Sequence, residues 1–345
     1  MTNGDRLVSN RVRSPGCPDS ETMPDLSVVV VTYNEADRIG VCLDTLIECC
    51  RRYDHEIVLV DSHSTDETVA IAREYPISIY RLPPSVEPTP GGGRYVGTQV
   101  TTGERVLFVD GDMALDASWL DDAMAYLDRE PAVAGVDGHF NESDAHAPTA
   151  VDSLRGVALY DRDALSAVGG FDPYLHALED VELGFRLVDA DRRLVRLPTV
   201  AASHPFGDGV TEVRRRWRSG YYFGRGQVLR KWLRSPAMLA RTVRYSRLYV
   251  TMSSWLALAP VATVAFGVAG LLAWCCGTVL LIGLSLLTRG RRWLVRKSIS
   301  FIPVCAGALV GFAGRHPPAE QYPVENAELV RPSPRRSRPD PGGTR

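Results

Sequence analysis

Val106-Leu107-Phe108-Val109-Asp110-Gly111-Asp112 sets four apolar β-formers directly before two carboxylates separated by a single glycine. An apolar run of this length reads as a buried strand, so the acids fall at its carboxyl end, where open α/β sheets place ligands. Two carboxylates that close repel each other. A hard divalent cation such as Mg²⁺ or Mn²⁺ relieves the repulsion, and it commonly shares its oxygen ligands with a substrate's phosphates. The plain alternative is a turn, because Asp and Gly are turn formers. The surrounding chain decides between the two.

Outward from this strand the sequence alternates strand and helix. Leu26–Thr32 is a buried strand, and 37–50 follows with helical spacing of Ile39, Leu43, Leu46 and Ile47. A second apolar strand, 56–61, also ends in an acid, Asp61. Ser64-Thr65-Asp66-Glu67 has capping-box spacing and predicts a helix over 65–74. Beyond it the pattern predicts a strand at 77–80, a Pro-rich loop over 83–93, a short helix from Arg94, the 105–109 strand, a helix over 118–128 and a strand at 132–136. Such alternation implies an α/β fold with a doubly wound, mostly parallel sheet. Asp61 and the Asp110/Asp112 pair then border one crevice. Gly91-Gly92-Gly93 follows a Pro-rich loop rather than a strand and lacks G-x-G-x-x-G spacing, so it reads as loop flexibility and not as a dinucleotide fingerprint.

At 345 residues the length favours two domains, and the apolar content is concentrated in one of them. Residues 248–288 contain no Asp, Glu, Lys, Arg or His over 41 positions, whereas one spanning helix needs about 20. A hairpin of two helices fits, with Pro260, Gly267, Gly270 and Gly277 as places to turn or kink. A third uncharged segment, 298–314, contains Pro303 and is compatible with spanning, re-entering or lying on the surface.

The net charge of −2 hides a strong asymmetry: residues 211–250 hold eleven Lys/Arg against one acid, Glu212, and 289–297 holds five more. Basic flanks mark the cytoplasmic side of membrane helices, so both blocks on one side require an even number of crossings between them. Trp217, Tyr221, Tyr222, Phe223 and Trp232 interleave with the basic residues. That mixture suits a lipid interface, and its position beside the apolar stretch favours lipid over nucleic acid. The chain therefore divides into a disordered segment 1–25, a soluble domain 26–210, a basic and aromatic interface segment 211–247, a membrane region 248–314 and a disordered Pro- and Arg-rich tail 315–345. No signal peptide is evident in 1–25, which leaves the soluble domain cytoplasmic in a multi-pass cell-membrane protein. Seven cysteines, odd in number and without a Cys-x-x-Cys pair, read as reduced packing residues.

Several motifs in order resemble the inverting family 2 glycosyltransferases of GT-A fold, over about residues 26–206. Val30-Val31-Thr32-Tyr33-Asn34-Glu35 resembles the family's first strand and nucleotide-binding turn, and Val60-Asp61-Ser62-His63-Ser64-Thr65-Asp66 resembles its second. Arg94-Tyr95-Val96-Gly97 with Gly103-Glu104 is similar to the segment before the metal motif, Asp110-Gly111-Asp112. Val168-Gly169-Gly170-Phe171-Asp172 and Leu178-Glu179-Asp180-Val181-Glu182-Leu183, followed by Arg186-Leu187, resemble the acceptor-side half. The resemblance implies that Thr32, Tyr33, Glu35, Asp61, Arg94 and Asp110 hold a nucleotide-sugar donor. It implies further that Asp110 and Asp112, with His204 as an additional ligand, hold Mg²⁺ or Mn²⁺, and that Glu179 and Asp180 are catalytic, Asp180 as general base.

The chemistry asks for these groups independently of the family. A sugar hydroxyl is a poor nucleophile, so a positioned carboxylate must take its proton as it attacks the anomeric carbon. The departing nucleotide diphosphate gains charge that a cation offsets. Glu179-Asp180 alone would read as ordinary helix N-terminal acids. Gly-Gly-Phe-Asp before the pair and the metal motif upstream favour catalysis. The expected function is transfer of a sugar to a membrane-held acceptor, a polyprenyl or dolichyl phosphate or a lipid-linked glycan. A polysaccharide synthase is disfavoured because Val213 stands where the Gln-x-x-Arg-Trp motif has Gln. A non-catalytic nucleotide-sugar-binding regulator is disfavoured by retention of all three acids. A nucleotidyltransferase would open its first strand into a Gly-rich basic loop, which Thr32-Tyr33-Asn34-Glu35 is not.

Overall fold

The computed structural model describes residues 23–204 and 209–333. The expectations for residues 1–22 and 334–345 lie outside the described residues. Ten strands form one sheet: β1 (Leu26–Thr32), β2 (His55–Asp61), β3 (Ser78–Arg81), β4 (Arg105–Asp110), β5 (Ala114–Leu115), β6 (Val133–Phe140), β7 (Thr149–Val151), β8 (Ala158–Asp161), β9 (Arg193–Ser203) and β10 (Glu328–Arg331). Their order is β10-β3-β2-β1-β4-β8-β6-β9-β5, with β7 on β9. The helices are α1 (Ile39–Cys50), α2 (Thr68–Ala72), α3 (Pro90–Gln99), α4 (Ala117–Arg129), α5 (Arg162–Ala167), α6 (Glu179–Asp189), α7 (Gly209–Arg218), α8 (Gly224–Lys231), α9 (Pro236–Tyr245) and α10 (Arg247–Ala313).

The central strands are parallel, as their unbroken apolar runs require when both faces are covered. Val28 and Val30 of β1 join the cluster under α1 and α4, while Val29 and Val31 join the opposite cluster under α3 and α6. Register then fixes the crevice. Thr32 lies opposite Asp61 and Val31 opposite Asp110, so three neighbouring strands end at one edge with their polar residues level. Antiparallel strands enter where β8 inserts between β4 and β6, and where β10 pairs with β3.

The structure departs from the sequence reading at several elements. Gly91, Gly92 and Gly93 belong to α3, capped by the Thr89 hydroxyl, which accepts from the Gly92 N–H at 2.9 Å, with Pro90 in the first turn. Their lack of a side chain serves close packing rather than loop flexibility: a Cβ on Gly91 would meet the Asp172 carbonyl, and one on Gly93 would meet Val31. Helix α2 is shorter than 65–74, because Asp66 accepts from Ala36 N at 3.2 Å as well as from Thr68 N at 3.0 Å, tying the turn after β2 to the turn after β1. The expected disordered tail is ordered over 315–333. Tyr322 is buried in the cluster under α3, its ring edge-on to Tyr95 and Tyr174, and β10 completes the sheet edge.

Helix α10 is long and apolar enough to cross a membrane by length and composition. Its backbone leaves helical geometry at Gly267 (φ 59°) and Gly290 (φ 79°), both in the region that favours glycine. Trp274 Nε1 donates to the Trp255 carbonyl at 2.8 Å, Trp255 Nε1 donates to Thr278 Oγ1 at 3.0 Å, and the two indoles stack. These contacts fold 268–289 back along 247–266. The last part, 291–313, packs Gly307 against Tyr222 and Gly311 against Phe223, while Gly226 of α8 meets Ala308. The described cysteines are all unpaired.

Candidate active site

The β1 turn is held by hydrogen bonds rather than by packing. Asn34, at φ 55°, donates its N–H to Ser64 Oγ at 2.9 Å and accepts from Thr65 N at 2.7 Å, and Glu35 N donates to Thr68 Oγ1 at 2.8 Å. Asn tolerates this left-handed conformation better than most residues. Across the sheet edge, Leu178 immediately before α6 also sits at φ 64°, a conformation costly for a large side chain. Leu178 is held there by burial among Leu175, Val181 and Phe185, and it fixes where Glu179 and Asp180 begin their helix.

Between these turns lies a cavity of about 650 Å³, lined by Thr32, Tyr33, Glu35, Arg94, Asp110, Asp112, Glu179, Asp180 and His204 among others. Every predicted site residue but one borders it. The exception is Asp61, fully buried, whose carboxylate accepts from Ser64 N at 3.2 and 3.1 Å and pairs with Arg81 Nε at 3.3 Å. Its neighbour Ser62 reaches the cavity instead. Thr32 Oγ1 is buried without a hydrogen-bond partner at the cavity wall.

Arg94 joins the two halves of the site. Its Nη2 lies 2.6 Å from Asp110 Oδ1 and its Nη1 lies 3.0 Å from Glu179 Oε1, with the side chain 5% exposed. A planar fork suits two carboxylates at once. Burial works against its charge, but Asp110 and then Glu179 outweigh burial and raise its pKa. Asp180 accepts from Val181 N at 2.7 Å, and burial, then the charge of Glu179, push its carboxyl well above the ordinary range. Burial, then Asp112, push Glu35 up to about 7.

His204 Nε2 lies 3.1 Å from Asp112 Oδ2, and this hydrogen bond raises the imidazole pKa. Among the described residues no group of three or more His, Cys, Asp or Glu stands ready to hold an ion. The donor set of Asp110, Asp112 and His204 still fits a hard cation that takes one or two carboxylates and completes its shell with phosphate oxygens and water. The upward shift of Glu35 by Asp112 marks the same surplus of negative charge.

Other cavity residues carried no sequence motif. Arg155 ends the polar stretch 139–155, which matches none of the motifs above. Arg215, Arg216 and Arg218 of α7, with Tyr221, also line the cavity. The expected interface segment 211–247 therefore begins as part of the cavity wall, with Glu212 held by Arg215 at 2.8 Å and Arg216 at 2.5 Å. Charge and aromatic content alone did not distinguish a lipid-facing helix from one folded over a crevice.

Residues 27–164 match the family model described as glycosyl transferase family 2. Over that stretch, 138 of the 345 residues, the chain is similar to this family. A relative, glycosyltransferase AglE of Haloferax volcanii, is 26% identical over 235 residues, covering 61% of this chain and 75% of its own. The poly(ribitol-phosphate) beta-glucosyltransferase of Bacillus spizizenii is 36% identical over 93 residues, which is 25% of this chain and 14% of that protein. The solved mannosyltransferase PcManGT of Pyrobaculum calidifontis, in complex with GDP-Man and Mn²⁺, superposes with a TM-score of 0.62 at 22% identity over 88% of this chain and 90% of its own. The superposition shows that the fold is shared, and at 88% of this chain it is longer than the 27–164 match.

Proposed function

We propose that the chain is a membrane-bound inverting glycosyltransferase, moving a hexose from a nucleotide-sugar donor to an acceptor held at the membrane. The observation that carries this reading is the Arg94 bridge, which sets the Asp110-Gly111-Asp112 end of β4 and the Glu179-Asp180 start of α6 on one cavity. Donor and base must face the same anomeric carbon, and this bridge supports that placement.

In the proposed mechanism the turn residues Thr32, Tyr33 and Glu35 cradle the donor, and Asp61 shapes the neighbouring turn through Ser64 and Arg81. Asp110 and Asp112, with His204 beside them, would hold Mg²⁺ or Mn²⁺, which when bound offsets the charge on the departing diphosphate. PcManGT, solved with Mn²⁺, supports that choice of ion. Asp180 takes the proton of the acceptor hydroxyl as the new glycosidic bond forms and the bond to the diphosphate breaks. One in-line displacement inverts the anomeric carbon. The raised pKa of Asp180 suits this role, since a general base works best near the ambient pH.

Helix α10 anchors the enzyme. Tyr249, near its start, has the Arg225 guanidinium 5.0 Å and the Lys297 ammonium 5.7 Å from its ring centre, so the basic blocks before and within α10 meet at one end of the hairpin. This supports both blocks on the cytoplasmic face, with the hairpin as two crossings and 291–313 packed on the catalytic side. A screen of nucleotide sugars with membranes containing the protein tests the activity. Metal-dependent transfer of one sugar to extractable lipid is expected, and no transfer from any donor contradicts the reading. Cysteine labelling should find 214–247 and 289–297 on the same face, and opposite faces would overturn the hairpin.

A further inference from the structure

Asp180, with Arg155 and Tyr245, lines both the cavity that holds the metal motif and an adjoining one of about 460 Å³. Its walls come from the β7 region, through Asp152 and Ser153, from Arg155 and Arg196, and from Tyr245 at the end of α9. A base that must touch the acceptor, standing between two cavities of which one is fitted for the donor, directs attention to the other. Tyr245 is followed at once by Ser246 and by α10, so this second cavity adjoins the element that leads into the membrane.

The charge of its wall is specific. Asp137 is fully buried, and Arg196 satisfies both of its oxygens, with Nε 2.9 Å from Oδ1 and Nη2 2.7 Å from Oδ2. The Arg155 guanidinium lies 3.6 Å from the same carboxylate, donates to the Gly138 carbonyl at 3.3 Å and sits 5.0 Å from the centre of the Phe140 ring, with its side chain 44% exposed. Two guanidiniums thus face one buried carboxylate, and Arg196 holds both of its oxygens, which leaves the Arg155 guanidinium on the cavity wall. Of the other anions on the wall besides the base Asp180, Asp152 is exposed and screened by water. A planar guanidinium fixed over an aromatic face, beside a base and on a cavity wall, matches the oxygens of a phosphate.

We infer that this second cavity receives the acceptor and that Arg155 binds a phosphate group carried by it. The inference rests on the assignment of Asp180 as base. It narrows the acceptor to a phosphorylated molecule, with the membrane-adjacent mouth admitting a lipid chain.

Direct binding to the purified full chain in detergent tests this without turnover, so it is independent of whether transfer is detected. Geranylgeranyl phosphate, geranylgeraniol and inorganic phosphate serve as probes, with GDP and UDP plus Mn²⁺ as a separate measure of the donor side. Geranylgeranyl phosphate should bind, Arg155→Gln should weaken it at least 10-fold, and Arg155→Lys should restore part of the loss. Circular dichroism should stay parental in both variants, which reports that they are folded, and a loss of nucleotide affinity as large as that for geranylgeranyl phosphate would assign Arg155 to the donor side and overturn the inference. Inorganic phosphate bound as tightly as geranylgeranyl phosphate, and lost in Arg155→Gln, supports the phosphate site and assigns it to a soluble acceptor. Geranylgeraniol bound as tightly as its phosphate, no binding of either phosphate, or an unchanged affinity in Arg155→Gln overturns the inference.

Discussion

Arg94 is the residue on which the two halves of the site meet, and its fork geometry matters more than its charge. Arg94→Lys keeps a cation but cannot span Asp110 and Glu179 together, so we expect a folded protein with transfer reduced at least ~10-fold, since Lys and Arg are not interchangeable at such a site. Circular dichroism and a transfer assay check this, and parental rates in the lysine variant would remove Arg94 from the account. The acid limb of the pH–rate profile follows from Asp180. Its pKa lies above the ordinary carboxylate range, and only the deprotonated form accepts a proton, so activity should rise with pH through a value higher than that of a surface aspartate. Glu179→Gln removes a negative neighbour, lowers the Asp180 pKa and should move that limb to lower pH. A limb that stays in place or moves upward would assign it to another group. The position of Asp180 on the cavity was legible from its motif, whereas that of Arg155 was not, because a lone arginine at the end of a polar stretch has no pattern until β7 and β9 fold beside it.

At the scale of elements, the run of apolar residues into Asp110-Gly111-Asp112 located β4 and the crevice edge correctly, because a strand buried on both faces needs an unbroken apolar run. The glycines of α3 misled for a physical reason: Gly is a poor helix former, yet here the helix lies so close to β1 that only hydrogen fits. A Cβ on Gly97 would clash with Val29. Gly97→Leu should therefore destabilise the domain by about 1–3 kcal/mol, the usual cost of overpacking a core, despite the better helix propensity of leucine. Denaturant unfolding measures it, and an unchanged midpoint would show that α3 can move off the sheet. The strands β7, β8 and β9 were missed since their pairing depends on partners far along the chain.

At the scale of the molecule, the segment after α10 returns to the catalytic domain, which composition alone did not indicate. Asp172 accepts from Lys231 Nζ at 2.6 Å and from His316 Nε2 at 2.7 Å, joining the Gly-Gly-Phe-Asp motif, α8 and the returning segment. Burial opposes its charge, but His316 and Lys231 hold its carboxyl well below the usual range. A depressed acid contributes stability above its unfolded pKa of about 3.9 and loses it as pH falls through the folded value. Asp172→Asn should thus cost about 2–4 kcal/mol at neutral pH, as breaking a buried pair does, with the difference from the parent shrinking below pH ~4. Thermal unfolding in detergent at several pH values checks the sign. A deficit that grows in acid would contradict it.

The measurement that bears most directly on the whole account is the paired comparison of donor binding and single-turnover transfer in Asp180→Asn. If Asp180 is the base, the variant binds nucleotide sugar and Mn²⁺ with parental affinity, since those contacts lie on the β1 and β4 side of the cavity, while transfer falls by about 10²- to 10⁴-fold. Transfer at the parental rate would contradict the assignment of Asp180, and a loss confined to donor affinity would place it in the donor site instead.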